Sequence, residues 1–107
     1  MRILILNPNT SEVFTQSIQD AANIYKNKDT IVKSINPPTG PHTMGCEYDI
    51  LLSVQPSLRE LIEYESNFDG FIIACYSDHP VIYAGREITQ KPVIGIMESS
   101  LYTACLI

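Results

Sequence analysis

Four short runs of mainly Ile, Val, Leu and Phe recur along the chain, at Arg2 to Leu6, Thr30 to Ile35, Phe71 to Cys75 and Pro92 to Ile96. Each is followed by a stretch with helical spacing. Arg2 to Leu6, ended by a turn, has the pattern of a buried parallel strand, and Thr30 to Ile35 is rich in the β-branched residues that favour strands. Strict alternation of strand and helix leaves few ways to fold: the strands lie parallel, the crossovers are right-handed and helices cover the sheet. The expected fold class is therefore α/β, a four-stranded parallel sheet with helices on both faces.

The segments between the runs refine this. Asn7-Pro8-Asn9 stops the first strand, and Thr10 or Ser11 can cap a helix, because a side-chain oxygen accepts from the free N–H groups of a first turn. Val13, Phe14, Ile18, Ala21, Ala22 and Tyr25 then recur at helical spacing, with the end of the helix expected near Lys26 to Lys28. Pro37-Pro38-Thr39-Gly40-Pro41 fits neither a helix nor a central strand and predicts a rigid loop. From Glu47 to Ser66, Ile50, Leu51, Val54, Leu58, Leu61 and Ile62 share one helical face, and Pro56 is expected to divide the element. A third helix over Pro80 to Ile88 would take Ser77 or Asp78 as its cap. A last one would open at Glu98 or Ser99 and run through Leu101, Ala104 and Leu106.

A chain of 107 residues supports one core, so residues 1–107 are expected to form a single α/β lobe. The pattern stops inside an apolar helix, whereas domains usually finish in a polar, frayed tail, and truncation is the expectation that follows. Twelve acidic against seven basic residues give a formal charge of −5, which repels nucleic acid and anionic membrane surfaces. No apolar run approaches the roughly 20 residues of a membrane span, and Met1-Arg2 leads straight into a strand, so a cytoplasmic protein is expected. Cys46, Cys75 and Cys105 are odd in number and widely spaced, which argues for reduced thiols and against a zinc site. With no GxGxxG, no phosphate loop and no metal-ligand cluster, neither a cofactor nor a metal is expected.

Ligands of open α/β sheets bind outside the carboxyl ends of the strands. That rule selects Asn7 to Ser11, Pro38 to Cys46, Cys75 to His79 and Met97 to Ser100. Within them Cys75 stands out, since a thiol at a strand end facing the start of the next helix meets positive dipole and N–H donors that favour its thiolate, a usable base. The same position also suits a cysteine acting only as a small buried hydrophobe. Asn7 and Asn9 are amide donors for a substrate carbonyl or carboxylate, or turn residues. Thr43 sits at the mouth of the rigid loop, and the backbone N–H groups of Tyr76 and Ser77 are candidate donors to a developing enolate oxygen. His42 and His79 have no evident partner, Asp78 reads as a helix cap, Glu98 as a first-turn residue, and Cys46 and Cys105 as structural.

Taken together, Ile3 to Ser11 (ILILNPNTS), Gly40-Pro41 with Asp49 downstream, Phe71 to Asp78 (FIIACYSD) and Pro92 to Glu98 (PVIGIME) resemble, in order and spacing, segments of the Asp/Glu/hydantoin racemase superfamily, closest to its hydantoin and allantoin racemases. The resemblance covers essentially the whole chain. It implies a cofactor-independent isomerase of hydantoin-like substrates, in which one cysteine removes a proton as thiolate and a second delivers one as thiol. Cys75 matches the first cysteine, with Asn7, Thr43, Tyr76 and Ser77 as substrate-binding candidates. The second belongs to a companion lobe, so this chain would be one lobe of a two-lobe fold, inactive alone and prone to self-association through uncovered apolar surface. Tyr76-Ser77-Asp78 departs from the Phe-Gly-Asp common in those enzymes, and Gly45-Cys46 from their Glu-Gly. An amino-acid racemase, a maleate-isomerase-like enzyme and a non-catalytic ligand-binding or assembly half-domain are the alternative readings.

Overall fold

The four apolar runs do form strands, and all of them pair in parallel. The computed structural model, which describes residues 1–107, runs β1 (Arg2–Leu6), α1 (Glu12–Tyr25), β2 (Ile31–Ile35), α2 (Glu47–Tyr64), β3 (Gly70–Ile73), α3 (Pro80–Ile88), β4 (Val93–Gly95) and α4 (Ile96–Leu106). The strand order is β2-β1-β3-β4. β1 is therefore central, and the chain leaves it to one side for β2 before crossing to β3 on the other. This reversal opens a crevice between the loops that follow β1 and β3.

Register sorts the side chains into two faces. Leu4 pairs with Phe71 and Leu6 with Ile73, and Phe71 in turn pairs with Val93. These residues join Ile35, Leu61, Phe68, Val81 and Ile82 in the buried core. α2 packs against α3 over this face.

Part of the apolar face expected of α2 does meet the core, Leu61 within it and Val54 and Leu58 packed against it, but the fully buried stripe also takes in two serines. Ser53, Ser57 and Leu61, spaced four apart, are its buried residues, whereas Leu51 and Ile62 are exposed. Serines at these positions let α3 approach closely where leucines would hold it off. The closeness shows at Gly85 of α3, where an added Cβ would lie 3.0 Å from Leu61 Cδ1 and 3.2 Å from Val93 Cγ1. Pro56 does not divide the helix, which is continuous across it. A mid-helix proline removes one hydrogen bond and costs about 3 kcal/mol, and burial of Ser53, Ser57 and Leu61 on both sides of it holds the helix together.

Three boundaries also depart from expectation. β3 ends at Ile73, so Cys75 stands two residues beyond the strand. α3 is capped by His79, not by Ser77 or Asp78: its Nδ1 accepts from the Val81 N–H at 3.2 Å. Pro80, at the first helical position, dictates this, because its fixed φ starts the helix and the residue before a proline is held extended. α4 opens at Ile96, two residues before the expected start, and Glu98 in its first turn accepts from the Gly95 N–H at 3.0 Å.

The second face is less well covered. α1 lies toward β2, where the Gln19 amide donates to the Val32 carbonyl at 3.1 Å and accepts from the Ser34 N–H at 2.6 Å. It buries no residue: Val13, Phe14 and Tyr25, expected to face the core, are exposed. Over β1 and β3 the sheet is left open as a groove of about 310 Å³ whose floor is Ile3, Ile5 and Ile72. α4 buries no residue either. The accessible surface is 6685 Å², against roughly 6,000 Å² for a compact monomer of this mass.

Candidate functional site

The crevice at the strand ends is built by three loops tied together through their backbones. The Asn7 N–H donates to the Ile35 carbonyl at 2.9 Å, the Ala74 N–H to the Leu6 carbonyl at 2.8 Å, and the Thr10 N–H to the Pro41 carbonyl at 3.0 Å. The last bond draws the proline-rich loop over the β1–α1 loop, with Gly40 supplying a φ of 122° that other residues rarely adopt. Thr43 and Met44 are carried to the mouth of the crevice as a result.

A cleft of about 310 Å³ lies there, lined by Asn7, Pro8, Asn9, Phe14, Thr43, Met44, Ala74, Cys75 and Tyr76. Four of the five residues singled out from sequence thus meet in one cavity. The fifth, Ser77, is not in the lining, but its hydroxyl is 3.1 Å from Cys75 Sγ. None of the lining side chains carries a formal charge, and Cys75 is half-buried.

The asparagine at the base of the cleft is heavily engaged. Asn7 Nδ2 donates to Asn9 Oδ1 at 2.7 Å and to Thr15 Oγ1 at 3.1 Å, and Thr15 Oγ1 donates to Asn36 Oδ1 at 2.6 Å. Asn9 Oδ1 also accepts from the Ser11 N–H at 2.9 Å. This network holds the loop shape, and Ser11 in turn caps α1 by accepting from the Phe14 N–H. The backbone N–H groups of Tyr76 and Ser77 find no partner within the chain, which leaves them free to donate to a ligand. The Tyr76 hydroxyl pairs with Ser100 Oγ of α4 at 3.0 Å.

The remaining candidates lie outside the cleft. His79 is fully buried, with Nε2 2.8 Å from Ser53 Oγ. Because its Nδ1 accepts from Val81, the neutral ring carries its proton on Nε2 and donates to Ser53, whose hydroxyl donates to the Ile50 carbonyl. Burial lowers its pKa to about 4, so it does not carry protons near neutrality. Asp78 Oδ1 accepts from the Tyr83 hydroxyl at 2.5 Å, and Glu98 is paired with Arg86 at 2.6 Å. His42, Cys46 and Cys105 are exposed. Sequence reasoning missed the capping and cross-helix role of His79, for which the signal was the proline immediately after it.

Parallel strands with a switch-point cleft lined by a half-buried cysteine define a cysteine-bearing α/β protein. The chain belongs to the Asp/Glu/hydantoin racemase family, whose model matches residues 3–107. It is 39% identical to a hydantoin racemase of Pseudomonas sp. (strain NS671) over 100% of its own length and 43% of that protein. With a hydantoin racemase of Paenarthrobacter aurescens the identity is 35%, over 46% of that protein. Among solved structures, an allantoin racemase from Klebsiella pneumoniae superposes with a TM-score of 0.93 at 31% identity, covering all of this chain and 44% of that one. The chain thus spans less than half the length of these relatives.

Proposed function

We propose that these 107 residues work as the N-terminal lobe of a two-lobe racemase that transfers a proton at the ring carbon next to a carbonyl of a hydantoin-like ring. The observation that carries this reading is the single uncharged cleft that gathers Asn7, Thr43, Cys75 and Tyr76 at the switch point. A neutral ring, such as a 5-substituted hydantoin or allantoin, suits such a lining better than an amino-acid carboxylate, which calls for a cation. The Cys75 thiolate would take the ring proton, becoming a thiol and leaving an enolate. The free N–H groups of Tyr76 and Ser77 would stabilise its oxygen. A thiol from the companion lobe would then protonate the opposite face and be left as thiolate. No metal or cofactor takes part in this scheme, and reduced cysteines fit a cytoplasmic setting.

One thiolate alone can only return the proton to the face it came from. Polarimetry on single hydantoin enantiomers should therefore show no racemisation by the 107-residue chain and clear racemisation once the companion lobe is attached. Racemisation by the short chain would sink the two-base scheme. If the joined protein turned over aspartate or glutamate but no hydantoin, the amino-acid branch would replace it.

The open sheet face bears on partners. Besides its groove, α4 buries no residue and leaves Leu101, Tyr102 and Leu106 exposed, and the total surface is roughly 700 Å² above that of a compact monomer of this mass. The isolated chain should self-associate in sedimentation at micromolar concentrations, and Ile72→Lys on the groove floor should weaken that association. A clean monomer across the concentration range would argue against a missing cover.

A further inference from the structure

The geometry points to the Ser77 hydroxyl as a positioning residue that serves Cys75 in both of its protonation states, an inference that rests on reading Cys75 as the proton-transfer thiol. Its Oγ lies 3.1 Å from Cys75 Sγ, and either atom can be the donor. A hydroxyl has one proton to give and lone pairs to accept with. It can therefore accept from a neutral thiol and, after turning about its own C–O bond, donate to a thiolate. A lysine or arginine at this place could only donate and would hold the sulfur in the charged state. A serine can serve the sulfur in both states without adding charge to the cleft, a contact that the glycine common at this place in related enzymes would lack.

The Ser77 hydroxyl is the hydrogen-bond partner that Cys75 Sγ has within the chain. Of the elements forming the cleft, the β1–α1 loop offers Asn7, Pro8 and Asn9, α1 offers Phe14, and the loop before α2 offers Thr43 and Met44. None of these titrates. Tyr76, the only other titratable lining residue, gives its hydroxyl to Ser100. Beyond the lining, Asp78 is bound to Tyr83 and His79 to Ser53, while His42 and Cys46 are exposed.

The bond to a thiolate is charge-assisted and stronger than the bond to a thiol, so removing the hydroxyl should penalise the thiolate more. Alkylation of Cys75 in the 107-residue chain by iodoacetamide, followed by peptide mapping from pH 6 to 11, reads this directly. With Ser77→Ala, the midpoint of the rate profile should rise by about one pH unit, which is roughly a tenfold slower reaction below the midpoint. The high-pH plateau should stay within about twofold of the parent, since reactivity there depends on access and no longer on ionisation. Ser77→Thr should restore the original midpoint, and Ser77→Gly should repeat the effect of alanine. Cys46, exposed in the fold, is the internal check that the samples are evenly treated, and far-UV circular dichroism checks that the variants are folded.

An unmoved midpoint in both Ser77→Ala and Ser77→Gly would overturn the assignment, as would a change confined to the plateau or a failure of threonine to restore. Because no substrate is present, a negative result here leaves the racemase reading intact. Equally, an absence of hydantoin turnover in the joined protein leaves a shifted midpoint standing.

Discussion

Cys75→Ser in the two-lobed protein is expected to lower turnover on a hydantoin by roughly 10²–10⁴-fold, the range that a positioned acid or base contributes. The substitution exchanges one chalcogen for another in nearly the same volume, at a half-buried site whose neighbours already include a hydroxyl. Folding should be little changed. A thiol is a far stronger acid than an aliphatic alcohol, so a serine hydroxyl offers essentially no base near neutrality. Binding should survive, so the loss should fall on kcat with KM nearly constant. Cys46→Ser, which changes an exposed cysteine outside the cleft lining, should turn over like the parent. Undiminished kcat in Cys75→Ser would remove this thiol from the mechanism.

The second large effect concerns stability in acid. His79 is buried and neutral in the fold, with a pKa lowered from 6.5 to about 4 by burial, so the unfolded chain takes up its proton first as the pH falls. The corresponding stability is complete above about pH 6.5 and drains away toward pH 4. Linkage puts the difference between pH 7 and 4.5 at about 2 kcal/mol, a large share of the 5–15 kcal/mol typical of a domain. Protonation would also turn Nδ1 into a donor facing the Val81 N–H, destroying the cap of α3. Urea unfolding at the two pH values should show this loss on top of whatever the carboxylates contribute. In His79→Gln, which can still accept from Val81 but does not titrate, the loss should shrink by the same amount. Equal losses in the two proteins would mean that His79 is not the acid-sensitive group.

Both predictions concern residues that a reader of the sequence ranks very differently. Cys75 was conspicuous because it follows an apolar run that must be a strand, and strand ends are where open sheets bind ligands. His79 was not, since nothing local shows that Ser53, 26 positions away, will meet its ring. Only the packing of α2 on α3 makes that pair. The serine stripe of α2 was illegible for the same reason: apolar periodicity marks large side chains, while close helix approach selects small ones.

What the sequence by itself determined is the alternation of strands and helices, the parallel sheet, the loops that form the candidate cleft, and the cysteine among them. These follow from short-range physics: β-branched runs favour extended chain, prolines and glycines end elements, and small polar side chains cap them. Tertiary structure alone decided that the strands stand in the order β2-β1-β3-β4, that α2 runs unbroken through Pro56, and that the stripe expected to bury α1 lies largely exposed. It also decided that Ser77 reaches the sulfur of Cys75. Each of these depends on which distant surfaces meet. That is a property of the whole packed chain, because a helix buries its apolar stripe only where a neighbour exists to cover it.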